Sequence, residues 1–223
     1  MSELISVIMP VRNGSNYIAE ALESIERQGM AVEVIVVDDG STDDTALIAS
    51  AHGAKVIRHP VCRGPVIAKN SGIAAATGDY VVFFDHDDIM RDNSLKTLYR
   101  ELSNDPVAAA VEAQVKDFLS PEIGPMPGIV IRPEPYYGLF TGAILIRRSV
   151  FDVIGPFDAS IKAGEMISWF SKMEQNDLSI KKIDFVATDR RIHRTNFGQT
   201  SKEVEYKDYA RVLRERIKAL RRQ

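Results

Sequence analysis

Four short apolar runs, each followed by a stretch that reads as a helix, set what this chain can fold into. "LISVIM" (4–9), "VEVIVVD" (32–38), "AKVIRH" (54–59) and "DYVVFF" (79–84) are strand-length and rich in β-branched and aromatic residues. Between the first two, residues 16–28 place Ile18, Leu22 and Ile25 on one helical face. "STDDTALIASAHG" (41–53) predicts a helix opened by Ser41 and closed by Gly53. "PVIAKNSGIAAATG" (65–78) predicts another, with Pro65 at its start and Gly78 past its end. A β-α-β-α-β-α-β order requires crossover connections. It therefore predicts an α/β fold of Rossmann-like type, with a mostly parallel central sheet and helices on both faces.

The second half is less regular. The pattern predicts a helix near 93–103, a strand near 107–118, a Pro- and Gly-rich loop over 119–138 and a strand at 142–147. A short helix in "RSVFDVIGPFD", a helix over 165–177, a strand over 181–187 and a tail helix follow. The tail carries Tyr206, Tyr209, Leu213, Ile217 and Leu220 along one stripe and many basic residues near its end. With no linker or repeat, the chain reads as a single domain over 1–223. A net charge of −3 gives no reason to expect nucleic acid as a partner. One cysteine, Cys62, excludes an internal disulfide framework and suits a reducing compartment. No run is long enough to span a bilayer and no signal-peptide pattern opens the chain, so the expectation is a cytoplasmic protein.

Ligands of open parallel sheets bind outside the carboxyl ends of the strands, and polar residues cluster there. Pro10, Val11, Arg12, Asn13 and Gly14 follow the first strand, and Asp38, Asp39, Gly40 and Ser41 the second. Asp85, His86, Asp87 and Asp88 follow the fourth. Carboxylates two residues apart at a strand exit can offer oxygens to one hard cation, Mg²⁺ or Mn²⁺, bridging them to phosphates. Helix capping by Asp87 or Asp88 is the simpler alternative. Ser41, Asp43 and Asp44 are accounted for as a helix cap with favourable first-turn charge, whereas Asp38 and Asp39 are not. Lys69, facing such a cleft, could pair with Asp39 or with a diphosphate.

Together these segments resemble glycosyltransferase family 2, the nucleotide-sugar-dependent transferases of the GT-A fold. The resemblance rests on "VIMPVRNGSNYIAEALESIERQ", "EVIVVDDGSTDDT" and "GPVIAKNSGIAAATGDYVVFFDHDD", which cover nearly all of residues 5–90. "GEMISWFSKMEQ" and "RIHRTNFGQTS" match more loosely. The resemblance implies a nucleotide-binding half over 1–90, an acceptor half over 91–200 and a C-terminal helix over 201–223. It implies that Pro10, Val11 and Arg12 line the nucleotide, that Asp39 receives the base and that Lys69 holds the nucleotide. Asp85 would contact the ribose with His86 beside it, while Asp87 and His193 would bind Mn²⁺ or Mg²⁺ on the diphosphate. The general base in relatives is the Asp of a Glu-Asp pair. Here Met166 replaces that Asp, which leaves Glu165 as the candidate. Trp169, one turn on, is either core or a platform for the acceptor, and Arg190, Arg191 and Arg194 are either a lid over the diphosphate or a solvated loop.

The implied reaction is inverting, metal-dependent transfer from a nucleotide-sugar donor, a UDP-sugar by family habit, to an acceptor hydroxyl. The acceptor is open between a glycan, a lipid-linked molecule, a peptide and a small molecule. The basic tail allows peripheral membrane contact, and its apolar stripe allows a homodimer. Two rivals stand beside this. A nucleotidyltransferase is disfavoured because "PVRNGSN" has a single Gly where a phosphate loop needs more. A nucleotide-sugar-binding protein that has lost catalysis is motivated by Met166.

Overall fold

The computed structural model describes residues 4–122, 131–138, 142–161, 164–194, 196 and 214. The predicted alternation is present as β1 (Ile5–Val11), α1 (Ile18–Glu26), β2 (Val32–Asp38), α2 (Thr45–Ala51), β3 (Lys55–Arg58), α3 (Pro65–Ala75) and β4 (Tyr80–Phe83). The second half adds β5 (Ile89–Met90), α4 (Ser94–Ser103), β6 (Ala108–Leu119), β7 (Ile144–Arg147), α5 (Ser149–Ile154), α6 (Glu165–Gln175) and β8 (Ser179–Ile192). The tail helix, with its membrane and dimer readings, lies outside the described residues apart from Arg214, as does part of the expected 119–138 loop. Among the described residues no helix is long and apolar enough to cross a membrane.

The strands form one sheet in the order β3-β2-β1-β4-β7-β6-β8-β5. β1 pairs in parallel with β2 and β4, and β2 with β3. β7 runs antiparallel to both β4 and β6, while β6 and β8 are parallel. It follows that β1, β2, β3, β4, β6 and β8 share one direction, so their carboxyl ends form one rim. The two-residue β5, which the sequence did not announce, pairs antiparallel with the far side of β8. In a flat sheet four strand spacings, about 19 Å, would separate β4 from β5. Six residue steps reach at most about 20 Å fully extended. The chain nevertheless turns at Asp85–Asp88, where the Asp88 N–H donates to the Asp85 carbonyl. The sheet must therefore curl, and the acidic segment is the strap that spans the curl.

The strand alternation sorts the core into two layers. Ile5, Val7, Met9 and Val11 of β1 pack on Ile18, Leu22 and Ile25 of α1 and on Leu95, Leu98 and Leu102 of α4. Ile8 points the other way, with Val81 and Phe83, under Val66 of α3 and the rings of Phe151, Phe157, Trp169 and Phe170. Helices thus cover both faces. α2 begins at Thr45 rather than at Ser41, because Ser41 and Asp43 are used to hold the neighbouring loop.

Gly72 sets how closely α3 lies on β1. A Cβ there would sit 2.2 Å from Ile8 Cγ2. Gly72→Ala is expected to lower the unfolding free energy by about 1–3 kcal/mol through overpacking. The urea midpoint, at unchanged slope, reads it.

Candidate active site

Side chains of one loop tie down the amides of the next at the rim. Asn13 adopts a left-handed conformation (φ 53°). Its N–H donates to Ser41 Oγ at 2.9 Å, that of Gly14 to Thr45 Oγ1 at 2.8 Å, and that of Ser15 to Asp43 Oδ2 at 3.1 Å. The Thr42 N–H returns a bond to Asn13 Oδ1 at 2.9 Å. The polar run after β2 therefore holds the β1–α1 loop, while Asp43 also accepts from the Thr45 N–H at the start of α2 at 3.2 Å. Burial pushes the Asp43 carboxyl up, but bonds from Thr45 and Ser15 outweigh it and bring it down to about 2.

Asp38 and Asp39, unexplained as cap residues, are both buried. Asp38 accepts from the Ser41 N–H at 2.8 Å and from Arg58 Nε at 2.9 Å. Asp39 accepts from His59 Nδ1 at 2.7 Å, Cys62 Sγ at 3.2 Å, the Arg63 N–H at 2.9 Å and the Gly64 N–H at 2.8 Å. A carboxylate offers about four lone-pair sites, so these donors fill it. Burial raises the Asp39 carboxyl, and bonds from His59, Arg63, Cys62 and Gly64 bring it below its ordinary value. His59 Nε2 lies 3.0 Å from Ser71 Oγ, which links this carboxylate to α3. Of the nucleotide-lining candidates, Pro10 and Val11 are buried in β1 and Arg12 is exposed. Val11 and His86 close on Gly14, where a Cβ would meet His86 Cδ2 at 2.4 Å and Val11 Cγ2 at 2.5 Å.

The strap itself divides its carboxylates. Asp85 and His86 are half-buried, and Asp87 and Asp88 are buried. His193, just past the end of β8, sets Nε2 2.8 Å from Asp87 Oδ2, and Asn196 Nδ2 donates to the same oxygen at 3.2 Å. Burial raises the Asp87 carboxyl, but the His193 bond and the charges of His86 and His193 leave it below the usual range. Asp88 moves the other way. Burial and the charges of Asp87 and Asp85 push it well above that range, although it accepts the Arg191 N–H at 2.9 Å. Neighbouring carboxyls held apart in this way need not both carry charge, which relieves the repulsion written into the sequence.

A hydrogen bond joins His193 Nε2 and Asp87 Oδ2 at 2.8 Å, and a cation held by these two atoms would take the place of the proton between them. Among the described residues no three His, Cys, Asp or Glu side chains form a ready-made cage. Imidazole is a less usual ligand of Mg²⁺ and suits Mn²⁺ better, and an ion held by this pair would take its other ligands from phosphate and water. Arg191 is no lid. It is buried, donates from Nε to the Asp87 carbonyl at 2.8 Å and pairs with Glu20 at 2.5 Å. Arg190 lies in β8 beside Asp117 at 3.5 Å, and Arg194 is exposed.

The opposite wall comes from α3 and α6. Lys69 Nζ donates to Glu165 Oε1 at 2.5 Å, with both side chains buried, so Lys69 pairs with neither Asp39 nor open solvent. Asn70 Nδ2 donates to the Phe157 carbonyl at 2.9 Å, and the Phe157 N–H returns to Asn70 Oδ1 at 3.0 Å. Trp169 is core: it is 1% exposed, stacks on Phe151 at 4.6 Å and donates from Nε1 to the Gly155 carbonyl. Sequence reasoning gave no role to Asn70, His59 or Asn196. Asn70 carried the one usable signal, a fork-shaped amide beside Lys69 in a helix of otherwise small and apolar residues.

The profile of glycosyl transferase family 2 matches residues 6–159, well over half of the 223-residue chain. The chain belongs to that family. Within glycosyl transferase family 2, it is 40% identical over 108 residues to glycosyltransferase GlyG of Streptococcus pneumoniae, covering 46% of this chain and 36% of that one. It is 31% identical over 181 residues to an uncharacterized glycosyltransferase of Rickettsia prowazekii, covering 72% and 55%. The pre-mycofactocin glycosyltransferase of Mycobacterium tuberculosis is 27% identical over 206 residues, with 84% and 43% covered. This family 2 chain thus spans between about a third and just over half the length of those relatives. Its fold is that of the GT-A glycosyltransferases. It matches S. aureus TarS in complex with UDP-GlcNAc at a TM-score of 0.69 and 24% identity, covering 88% of this chain and 60% of that one. It matches the mannosyltransferase PcManGT of Pyrobaculum calidifontis, in complex with GDP-Man and Mn²⁺, at 0.69 and 20%, covering 88% and 59%.

The depressed Asp43 carboxyl fixes the sign of one pH effect in this family 2 domain. Its value falls from 3.8 to about 2 on folding, so its contribution is fully present above about pH 4 and is lost towards about pH 2. Asp43→Ala is expected to be less stable than the parent at pH 7, with the gap narrowing between about pH 4 and pH 2. Denaturant midpoints across that range check it.

Proposed function

We propose that this chain moves a sugar from a nucleoside diphosphate sugar, a UDP-sugar by family habit, to an acceptor hydroxyl, with inversion at the anomeric carbon. The observation that carries the reading is the contact of Asp87 with His193 at 2.8 Å. Two residues 106 positions apart meet at the strand-end rim of a family 2 domain. The nucleotide sugars named with TarS and PcManGT, and the Mn²⁺ of the latter, support the donor class and a divalent ion.

In this reading Arg12 and the backbone of Pro10 and Val11 line the nucleotide. Asp39 takes the base in exchange for the Cys62 thiol, the weakest of its four donors. Asp85 and His86 face the ribose and diphosphate, and Lys69 adds positive charge from α3. Asp87 and His193 hold Mn²⁺ or Mg²⁺, which supplies charge against the departing diphosphate. Glu165 removes the acceptor's proton while the hydroxyl oxygen attacks from the face opposite the leaving group. A single displacement needs one base and no enzymic nucleophile. Met166 is buried at the position where the family resemblance implies an Asp, which favours one second reading: donor binding without turnover.

Thermal shift with UDP-GlcNAc or GDP-mannose plus Mn²⁺ is expected to stabilise the parent and Glu165→Gln alike, while Asp87→Ala loses the metal-dependent part. Release of nucleoside diphosphate should fall roughly 10²–10⁴-fold in Glu165→Gln. Stabilisation without release in the parent supports the binding protein, and no stabilisation by any nucleotide sinks both readings. Cys62→Ala should bind UDP at least as tightly as the parent by calorimetry, whereas Asp39→Ala should bind at least about tenfold more weakly.

A further inference from the structure

We propose that the consecutive residues Lys69 and Asn70 form a clamp, built on one turn of α3, that positions Glu165. The inference rests on the transfer reading above. Glu165 opens α6 after a left-handed Gly164 (φ 78°), which as a glycine offers no capping side chain. Two contacts from α3 hold this helix start and the chain ahead of it. Asn70 pairs both its amide atoms with the backbone of Phe157, at 2.9 and 3.0 Å, and so pins the segment that leads into α6. Lys69 then meets the Glu165 carboxylate at 2.5 Å.

Both ends of that ion pair are buried, with about a tenth or less of each side chain exposed. A carboxylate removed from water without a partner is costly, and a paired one sits where its partner sits. The clamp's own position comes from the sheet. Gly72 lets α3 lie against Ile8 of β1, which brings Lys69 to the same rim as the strap.

The experiment measures nucleoside diphosphate release with UDP-GlcNAc and with GDP-mannose, in Mn²⁺, for the parent, Lys69→Met, Lys69→Arg, Asn70→Ala, Glu165→Gln and the Lys69→Met/Glu165→Gln double variant. Lys69→Met is expected to lose on the order of 10²-fold in kcat, and Asn70→Ala about tenfold with donor KM within about twofold of the parent. Lys69→Arg should recover most of the kcat lost in Lys69→Met. The double variant should be slower than Glu165→Gln alone by clearly less than the Lys69→Met loss, because the part of that loss that acts through Glu165 is already gone. Full additivity of the two losses, or an Asn70→Ala effect confined to donor KM, overturns the clamp. So does an effect seen only in the denaturant midpoint, which would make the pair structural. These outcomes differ from failure of the transfer reading, in which the parent itself releases nothing from either donor.

Discussion

Buried carboxylates need donors, and at this rim that need organises the architecture. Asp38, Asp39, Asp87, Asp88 and Glu165 are each less than a tenth exposed. An unpartnered charge in such a place costs several kcal/mol. Each is met by a segment distant in sequence: Asp38 by Arg58, Asp39 by the amides after β3, Asp87 by His193, Asp88 by the Arg191 amide and Glu165 by Lys69. The acids that mark the cleft as a ligand site are also the pegs on which its loops hang.

That double duty shows how much could be read from residues alone. The strands of the first half and the helices between them were legible because β-branched runs and helical spacing repeat in a fixed order. The carboxyl-end cluster was legible for the same reason, since parallel strands must share a rim. What escaped was pairing between distant segments. Nothing local to "DHDD" says that Ile89 and Met90 will reach β8, or that Asp88 will face an amide of residue 191. Ser41 looks like a helix cap because a cap and a loop clamp use the same hydroxyl. Local pattern cannot tell which amide it will meet. The basic residues after 189 read as either a lid or a solvated loop, yet Arg191 is enclosed by Tyr17 and Phe118 with Glu20 as its partner.

The strap also explains why so acidic a sequence is tolerable. Asp87 and Asp88 sit side by side but in opposed environments, one beside two imidazoles and the other shut away with a single amide donor. Their proton affinities separate, and the segment carries less charge than its letters suggest. Of these two, Asp87 keeps the charge, with His193 against it. The number of acids in the motif is thus a poor guide to the charge it carries.

The position of Glu165 follows from the face α6 must bury. Met166, Trp169, Phe170 and Met173 recur at intervals of three, four and seven residues along the helix, all of them buried against α5 and β4. Residue 166 is the first member of that stripe. A carboxylate there would sit against the aromatic cluster of Phe151, Phe157 and Trp169 unless the helix rotated. With Met166 the stripe runs unbroken to the helix start, and the first turn keeps one acid, Glu165, about 100° away from Met166. Glu165 sits at the edge of that stripe, one turn before Trp169, and Lys69 of α3 meets it there. The unbroken apolar stripe and the ion pair at its edge therefore share the first turn of α6, so the same helix start that completes the core presents its one acid to α3.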